Sequence, residues 1–218
     1  MIVKPLVFPL LPLLGWGVAA IAGAIAVKKV FFDEKEVDEL KNDVKTSKKI
    51  AILGLQQAGK TTFLRFLQGD KNYKKYVASG MDEYDEFDIK FDDEVVTISK
   101  NVDIGGAEAF MRNYTTVLQN TEMAFFLFDV SLFFNDNEYY RNFCARVDYL
   151  KSMTTIKTYF IATHPDKLNN TDTDNELKIK ISEKLKEKDY KNYVEHKLFI
   201  INLLEDKKLT EFVNKVFL

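Results

Sequence analysis

The feature that most constrains the fold of this chain is the run from Gly54 to Thr62, which reads GLQQAGKTT. It matches the pattern G-x-x-x-x-G-K-[ST], in which the backbone N–H groups of a glycine-containing loop surround phosphate groups. The apolar run Ile50–Leu53 precedes it, and apolar residues at helical spacing follow it from Phe63 onward. Because the motif requires a strand before the loop and a helix after it, the sequence predicts a nucleotide phosphate-binding loop.

The residue types in this loop suit separate tasks. The Lys60 ammonium is expected to reach the β- and γ-phosphates, and the Thr61 hydroxyl is expected to bind Mg²⁺. The loop backbone lies at the positive end of the following helix, which favours anions. We therefore expect nucleotide contacts throughout the loop, from Gly54, Gln57, Ala58, Gly59, Lys60, Thr61 and Thr62.

The composition fits one folded domain with a short additional segment. The chain has 218 residues, of which 46% are hydrophobic and 29% charged, and its net charge is −2. These values are typical of a packed core and argue against a broad nucleic-acid-binding surface, so no nucleic-acid partner is predicted. Cys144 is the only cysteine, which excludes an intramolecular disulfide and a cysteine-rich metal site.

The N-terminal residues 1–30 predict a membrane anchor. No charged residue occurs from Pro5 to Val27, and a helix that rises about 1.5 Å per residue would cover a hydrocarbon core of about 30 Å over this length. A nucleotide-binding domain requires the cytosol, which places Lys28 and Lys29 on the cytoplasmic side. The prediction is a single-pass transmembrane helix. A cleaved signal peptide, indicated by Ala24–Ala26, and a buried hairpin remain alternatives.

The rest of the chain predicts a charged juxtamembrane linker over residues 31–47 and an α/β nucleotide-binding domain over residues 48–218. Strand and helix patterns alternate in this domain, as in a mostly parallel sheet flanked by helices. Six strands are expected, at Ile50–Leu53, Phe87–Phe91, Val95–Val102, Met123–Val130, Thr158–Ala162 and Leu198–Asn202. Five helices are expected, at Thr61–Gln68, Ala107–Gln119, Glu138–Lys151, Asn175–Lys188 and Lys207–Val216. The alternation of Phe87–Phe91 with charged residues suits an antiparallel edge strand.

A second motif follows an apolar strand pattern, where residues 103–108 read DIGGAE. Together with GLQQAGKTT and the tripeptide Gln119-Asn120-Thr121, it resembles the corresponding segments of Arf-like small GTPases, a resemblance that extends from about Lys48 to the C-terminus. The resemblance implies a P-loop small GTPase fold that binds GTP or GDP with Mg²⁺. It also implies that Asp103 holds Mg²⁺ through water and that the Gly106 amide senses the γ-phosphate.

A third motif is expected to select the base. Residues 163–166 read THPD where the family has N-K-x-D or T-K-x-D. A carboxylate accepts hydrogen bonds from both the ring N–H and the exocyclic amine of guanine, which makes Asp166 the candidate base-binding residue. Thr163 can stand in for the asparagine. His164 replaces the lysine, and it would either stack along the base or lie in solvent.

Two departures from the family pattern concern hydrolysis. Ala107 stands where the family has the glutamine that orients the attacking water, so we expect slow intrinsic hydrolysis. Gln56 is a candidate substitute catalytic residue beside Lys60, although a solvent-facing loop residue is an equal alternative. The switch threonine that binds Mg²⁺ in the family is not obvious, and Ser79 is the candidate hydroxyl after a one-residue shift.

These observations favour a membrane-anchored guanine-nucleotide switch that recruits an unidentified protein effector or activator at the cytosolic membrane face. The alternative is a constitutively nucleotide-bound adaptor without significant turnover. That alternative is similar in layout to the β subunit of the signal-recognition-particle receptor. A P-loop ATPase or kinase is a third hypothesis, which Asp166 disfavours.

Overall fold

The structure is a computed structural model that describes residues 46–74, 81–91, 94–98, 101–104, 114–119, 121–153, 155–168 and 172–217. These residues belong to one compact unit, Thr46–Leu218. Among them, no helix combines the length and hydrophobicity that crossing a bilayer requires. The predicted anchor, residues 1–30, lies outside the described residues.

The described elements alternate between strands and helices. The strands are β1 (Thr46–Lys48), β2 (Ile50–Gly54), β3 (Met81–Tyr84), β4 (Phe87–Phe91), β5 (Glu94–Ile98), β6 (Asn101–Ile104), β7 (Met123–Asp129), β8 (Lys157–Thr163) and β9 (Leu198–Ile201). The α-helices are α1 (Lys60–Leu67), α2 (Tyr114–Leu118), α3 (Val130–Asn135), α4 (Asn137–Ser152), α5 (Asp174–Lys184), α6 (Lys191–Glu195) and α7 (Asp206–Phe217). A 3₁₀ turn covers Pro165–Lys167.

The strands form a mostly parallel sheet. β2, β7, β8 and β9 pair side by side in parallel, in that order. β1 is separated from β2 by a single residue, and it pairs in parallel with β5. β5 in turn pairs antiparallel with β4. This arrangement confirms the predicted α/β fold and the antiparallel position of Phe87–Phe91.

The central strands are buried on both faces, which explains their nearly continuous apolar sequence. All residues of β2 and β7 are buried. Along β7, Phe125 and Leu127 face a core shared with α1 and α7, whereas Phe126 and Phe128 face a second core shared with α3, α4 and α5. The sheet therefore separates two hydrophobic cores, and its strand ends meet at a common edge.

The antiparallel segments keep one register across two short gaps. Tyr84 lies opposite Asn101 in the β3–β6 pair, and Phe87 lies opposite Ile98 in the β4–β5 pair. The sums of the paired residue numbers are the same, so both pairs belong to one long hairpin. The Tyr84 hydroxyl donates to the Ile50 carbonyl at 3.1 Å. That bond ties the hairpin to β2.

The structure corrects several predicted boundaries and adds elements. The strand predicted at Met123–Val130 ends at Asp129, because the Asp129 carboxylate accepts from the Ser131 and Leu132 amides and starts α3 at Val130. The helix predicted at Asn175–Lys188 ends at Lys184. The sequence did not predict β1, β3, α3, α6 or the 3₁₀ turn.

Other predicted elements are confirmed in whole or in part. A helix was predicted at Ala107–Gln119. The structure describes residues 114–119 of this segment, and α2 covers Tyr114–Leu118. The strand predicted at Val95–Val102 is present as β5 and β6, separated by residues outside the described set.

The central position of Phe125 leads to a stability prediction. Its ring contacts the rings of Phe63, Tyr159 and Phe212 and is fully buried. Phe125→Ala should lower the free energy of unfolding by about 3–5 kcal/mol, because the cavity cannot collapse in a packed sheet. Urea denaturation of the purified chain measures this change. Ile179→Ala is the control, since 58% of the Ile179 side chain is exposed, and it should change stability by less than about 0.5 kcal/mol.

Candidate functional site

The phosphate loop begins inside the sheet, at the end of β2. Gly54 has a φ of +142°, and a Cβ atom at this position would lie 2.0 Å from the Leu127 carbonyl oxygen of β7. The following amide, that of Leu55, donates to the same Leu127 oxygen at 3.1 Å. The close approach of the two backbones therefore requires glycine at position 54.

The other glycine of the motif lies where the loop enters α1. Gly59 has a φ of +80°, and an added Cβ atom would lie 2.4 Å from Cδ1 of Leu203. Leu203 follows β9 and is 3% exposed. This last loop contacts the phosphate loop through a residue for which the sequence predicted no role. The family resemblance implies a last base-contacting loop near Asn202–Leu204, but the usual motif is missing there, so the sequence assigns no single residue and nothing local indicates the partner of Leu203.

Lys60 lies at the start of α1 with its side chain folded back against the loop. The side chain is buried, and Nζ donates to the Leu55 carbonyl at 2.8 Å. The ammonium is therefore held over the loop backbone rather than in solvent. This position agrees with the predicted phosphate-binding role, because a cation there adds to the positive end of α1.

The remaining predicted residues of the loop differ in exposure. Gln56 and Gln57 are exposed, whereas Thr61 and Thr62 are half-buried within the first turn of α1. Gln56 is exposed, which is expected both of a residue that only faces solvent and of one whose side-chain amide reaches a ligand. The catalytic role of Gln56 therefore stays a prediction.

The predicted Mg²⁺ ligands are described only in part. Asp103 lies in β6, where its backbone pairs with Asp82 of β3. The positions of Ser79 and Gly106 lie outside the described residues, as does that of Ala107. Among the described residues, no cluster of three or more His, Cys, Asp or Glu side chains is placed to hold a metal ion. The predicted Mg²⁺ site therefore stays a prediction at Thr61, Asp103 and Ser79.

The THPD motif, the candidate base-selecting segment, lies directly against the phosphate loop. The Thr163 hydroxyl is fully buried at the end of β8, within 3.1 Å of both the Ala58 and the Phe128 carbonyl oxygens. His164 follows with a φ of 57°, and its Nε2 lies 3.1 Å from the Gln57 carbonyl oxygen. The structure thus brings Thr163 to the loop, as the prediction requires. His164 is half-buried, with its ring against the loop, and its stacking along a base stays a prediction.

Asp166 lies in the 3₁₀ turn that follows. Its side chain is exposed, and its carboxylate has no hydrogen bond or ion pair with a described residue. Its neighbour Lys167 donates to Asp129 Oδ2 at 2.7 Å. Asp129 is completely buried, and its other oxygen caps α3. This ion pair fixes the 3₁₀ turn to the end of β7 and leaves the Asp166 carboxylate available to a ligand.

Sequence reasoning missed Arg146, a buried arginine of α4. Its Nη1 donates to the Gly54 carbonyl at 2.8 Å, and its side chain is 2% exposed. The guanidinium also lies 6.0 Å from the ring centre of Tyr114 in α2. Burial raises the pKa of the Tyr114 hydroxyl, and the nearby Arg146 charge opposes that rise. An arginine on the apolar face of α4 was the available signal, since arginine is almost never fully buried unless paired.

A tyrosine of the same helix borders this region. Tyr139 accepts a hydrogen bond from the Asp129 amide at 2.7 Å through its hydroxyl oxygen. Burial raises the pKa of Tyr139, and the charge of Asp129 raises it further. The hydrogen bond from the Asp129 amide to the Tyr139 hydroxyl oxygen opposes this rise in pKa. Tyr139 therefore stays a neutral hydroxyl that helps to hold the end of β7.

The fold and this site define a P-loop nucleotide-binding protein of the α/β class. The loop follows a buried parallel strand, its lysine lies over the loop backbone, and it contacts the THPD motif, whose carboxylate is exposed. A sequence profile of the ADP-ribosylation factor family matches residues 35–216, most of the chain. The chain belongs to this family of small GTPases, which bind GTP or GDP with Mg²⁺ and switch between the two forms. No individual curated protein matches it.

The contact between Gly54 and β7 predicts that Gly54→Ala disrupts the loop. The new methyl group would meet a backbone oxygen that cannot move without distorting β7, so the free energy of unfolding should fall by more than about 3 kcal/mol. Gly69→Ala is the matched control: Gly69 also has a positive φ, 73°, but a Cβ atom there has nothing within 4 Å. It should cost only about 1–2 kcal/mol of backbone strain. Urea denaturation of both variants tests the difference.

The buried contact of Arg146 predicts a second effect on the loop. Arg146→Met removes the donor to the Gly54 carbonyl and should lower the free energy of unfolding by about 1–3 kcal/mol. Arg141→Met changes an exposed arginine of the same helix and should have almost no effect. Equal effects of the two substitutions in urea denaturation would contradict a structural role for the Arg146 contact.

Proposed function

We propose that this protein is a membrane-anchored GTP/GDP switch that recruits a protein partner at the cytosolic membrane face and hydrolyses GTP slowly. The observation that carries the proposal is the contact between the phosphate loop and the THPD motif, made by Thr163 and His164. Two loops distant in sequence meet at one edge of the sheet, one suited to phosphates and the other to a base. Binding in this crevice is typical of open α/β sheets.

The residues present fit a guanine nucleotide with Mg²⁺. Side chains at positions 54 and 59 would collide with Leu127 and Leu203, so the two glycines allow the loop its close path, and the Lys60 ammonium lies against it. Asp166 would accept from the guanine ring N–H and amine, an arrangement of donors that adenine lacks. Thr61 and Asp103, with Ser79 as the candidate switch hydroxyl, would hold Mg²⁺, and the ion would supply positive charge beside the β- and γ-phosphates.

The proposal of slow hydrolysis rests on Ala107. A methyl group cannot orient water, and the loss of an oriented group costs roughly 10²–10³ in rate in other enzymes. The exposed amide of Gln56 lies in the phosphate loop and is the proposed partial substitute. The membrane anchor rests on the uncharged run Pro5–Val27, and the recruitment of an effector rests on membership of a switch family.

Nucleotide binding tests the core of the proposal. The full-length chain, purified in mild detergent, should bind GDP and GTP with Mg²⁺ and discriminate against ATP in a competition assay. Lys60→Ala should weaken binding by about 10–100-fold, because a charge-assisted bond to phosphate is lost. Lys71→Ala, at an exposed lysine beyond α1, is the control and should bind as the native chain does. Equal affinity for ATP and GTP would refute guanine selection by Asp166.

Phosphate release tests the switch against the constitutive adaptor. Ala107→Gln should raise single-turnover GTP hydrolysis by about 10²–10³ over the native chain, and Gln56→Ala should lower the native rate if Gln56 contributes. Fast hydrolysis by the native chain would contradict the role given to Ala107. Hydrolysis that is negligible and insensitive to Ala107→Gln would favour the adaptor.

For the anchor, the full chain should resist carbonate extraction from membranes, whereas a chain lacking residues 1–30 should not.

A further inference from the structure

The chain that follows α1 is bonded to the first residue of α7. The Tyr73 hydroxyl donates to Asp206 Oδ1 at 2.5 Å, and Lys74 Nζ lies 2.6 Å from the same oxygen. Hydrogen bonds from Lys74 and Tyr73 hold the pKa of the Asp206 carboxyl below its ordinary value, so it is charged at neutral pH. One carboxylate oxygen therefore joins two consecutive residues after α1 to a helix that begins 133 positions later in the chain.

Tyr73 is also fixed to α1. Its side chain is buried, and its ring lies edge-on to that of Phe66, with 5.2 Å between the ring centres. Its amide donates to the Asp70 carbonyl at 3.0 Å, and the Asp70 carboxylate accepts from Arg65 of α1 at 2.7 Å. Burial raises the pKa of the Tyr73 hydroxyl, and the bond to Asp206 raises it further. Tyr73 is therefore a neutral donor whose position depends on α1.

Asp206 follows directly on the last loop, residues 202–205, which is a compact turn. Two hydrogen bonds close this turn, and Asn202 accepts both, one through its side-chain oxygen and one through its carbonyl. Leu203, inside the turn, lies against Gly59 at the start of α1. Because the turn is closed, a displacement of Asp206 also displaces Leu203.

These contacts attach the last loop to α1 at both ends of that helix. Leu203 contacts the phosphate loop where α1 begins, and Asp206 holds Tyr73 after α1 has ended. Gly59 has no side chain to restrict its backbone, so the packing of Leu203 does so. A loop that spends part of its time in other conformations binds its ligand more weakly in proportion. The packing of Leu203 on Gly59 therefore bears on anion binding by the loop.

We propose that Tyr73 and Asp206 are positioning residues for the phosphate loop: their hydrogen bond keeps Leu203 packed against Gly59 and so strengthens the binding of phosphate groups. Lys74 adds an exposed ion pair to the same oxygen, which contributes less. The proposal rests on the proposed function, because it assumes that the loop binds phosphates. It predicts equal effects on ligands with and without a base, since Gly59 belongs to the phosphate loop.

The experiment measures the affinity of the full-length chain, in mild detergent with Mg²⁺, for GDP and for inorganic pyrophosphate. Tyr73→Phe removes the hydroxyl and keeps the ring against Phe66, and it should weaken the binding of both ligands by the same factor, about twofold to tenfold, the effect of one hydrogen bond. Asp206→Ala should weaken both at least as much, because it also removes the ion pair with Lys74. Lys74→Met should have a smaller effect, which should disappear at high salt.

Two control variants match these substitutions. Tyr193→Phe removes a part-buried hydroxyl of α6, on the other face of the sheet. Glu138→Ala removes an exposed carboxylate from the first turn of α4, as Asp206→Ala does from the first turn of α7. Both controls should bind the two ligands as the native chain does. The thermal midpoint of each variant identifies any unfolded protein before affinities are compared.

A double substitution tests the route from Tyr73 to the phosphate loop. In a chain that carries Leu203→Ala, the further change Tyr73→Phe should weaken binding little more, because the packing that Tyr73 supports is already lost. Full additivity of the two changes would contradict an effect that passes through Leu203.

Other outcomes also separate this inference from the proposed function. Native affinities in both Tyr73→Phe and Asp206→Ala would overturn the inference alone. Weakening of GDP binding without weakening of pyrophosphate binding would also overturn it, since the effect would then fall on the base and not on Gly59. A native chain that binds neither ligand would refute the proposed function and this inference with it. A native chain that binds pyrophosphate but does not prefer GDP to ADP would refute guanine selection alone, and the pyrophosphate comparison would still decide the role of Tyr73.

Discussion

The structure depends on one close backbone contact, that between Gly54 and β7. At this point the loop leaves a fully paired parallel strand, and no side chain fits between Gly54 and the Leu127 carbonyl. The Leu55 amide bonds to the same oxygen, and Arg146 bonds to the Gly54 carbonyl from the opposite core. Both the C=O and the N–H of the peptide group between Gly54 and Leu55 are therefore hydrogen-bonded, which fixes the position at which the loop begins.

The far end of the loop is held by elements that follow later in the chain. Leu203 packs against Gly59, and Thr163 and His164 bond to the two carbonyls before it. The region expected to bind the base and the region expected to bind phosphates thus share hydrogen bonds. Because of these shared hydrogen bonds, the position of one loop depends on the position of the other.

Buried charges secure the same edge of the sheet. Asp129 is fully buried, but it caps α3 and pairs with Lys167, so its charge is compensated. An uncompensated carboxylate at this position would be costly. The pair places the 3₁₀ turn of Asp166 at the end of β7. Arg146 is compensated in part by the Gly54 carbonyl. The buried polar groups Asp129 and Arg146 therefore connect structural elements at the site through hydrogen bonds and an ion pair.

Much of the fold followed from local patterns. Apolar periodicity predicted the strands at Ile50–Leu53 and Phe87–Phe91 and the helix after the loop. The spacing of apolar residues within an element shows directly whether one or both of its faces are buried. Val130 was predicted wrongly as strand because its apolar side chain suits either element, and the cap that decides between them comes from the Asp129 carboxylate. Short elements such as α6 carry too few residues for a clear period.

The sequence alone determined the phosphate loop, the α/β class, the antiparallel edge and the candidate base-selecting carboxylate, because each depends on residues close together in the chain. Only the tertiary structure decided that Arg146, Leu203 and the His164–Gln57 contact belong to the site. Arg146 and Gly54 are 92 positions apart, and His164 and Gln57 are 107 apart. Contacts over such separations arise from the order of strands in the sheet, which no local pattern records.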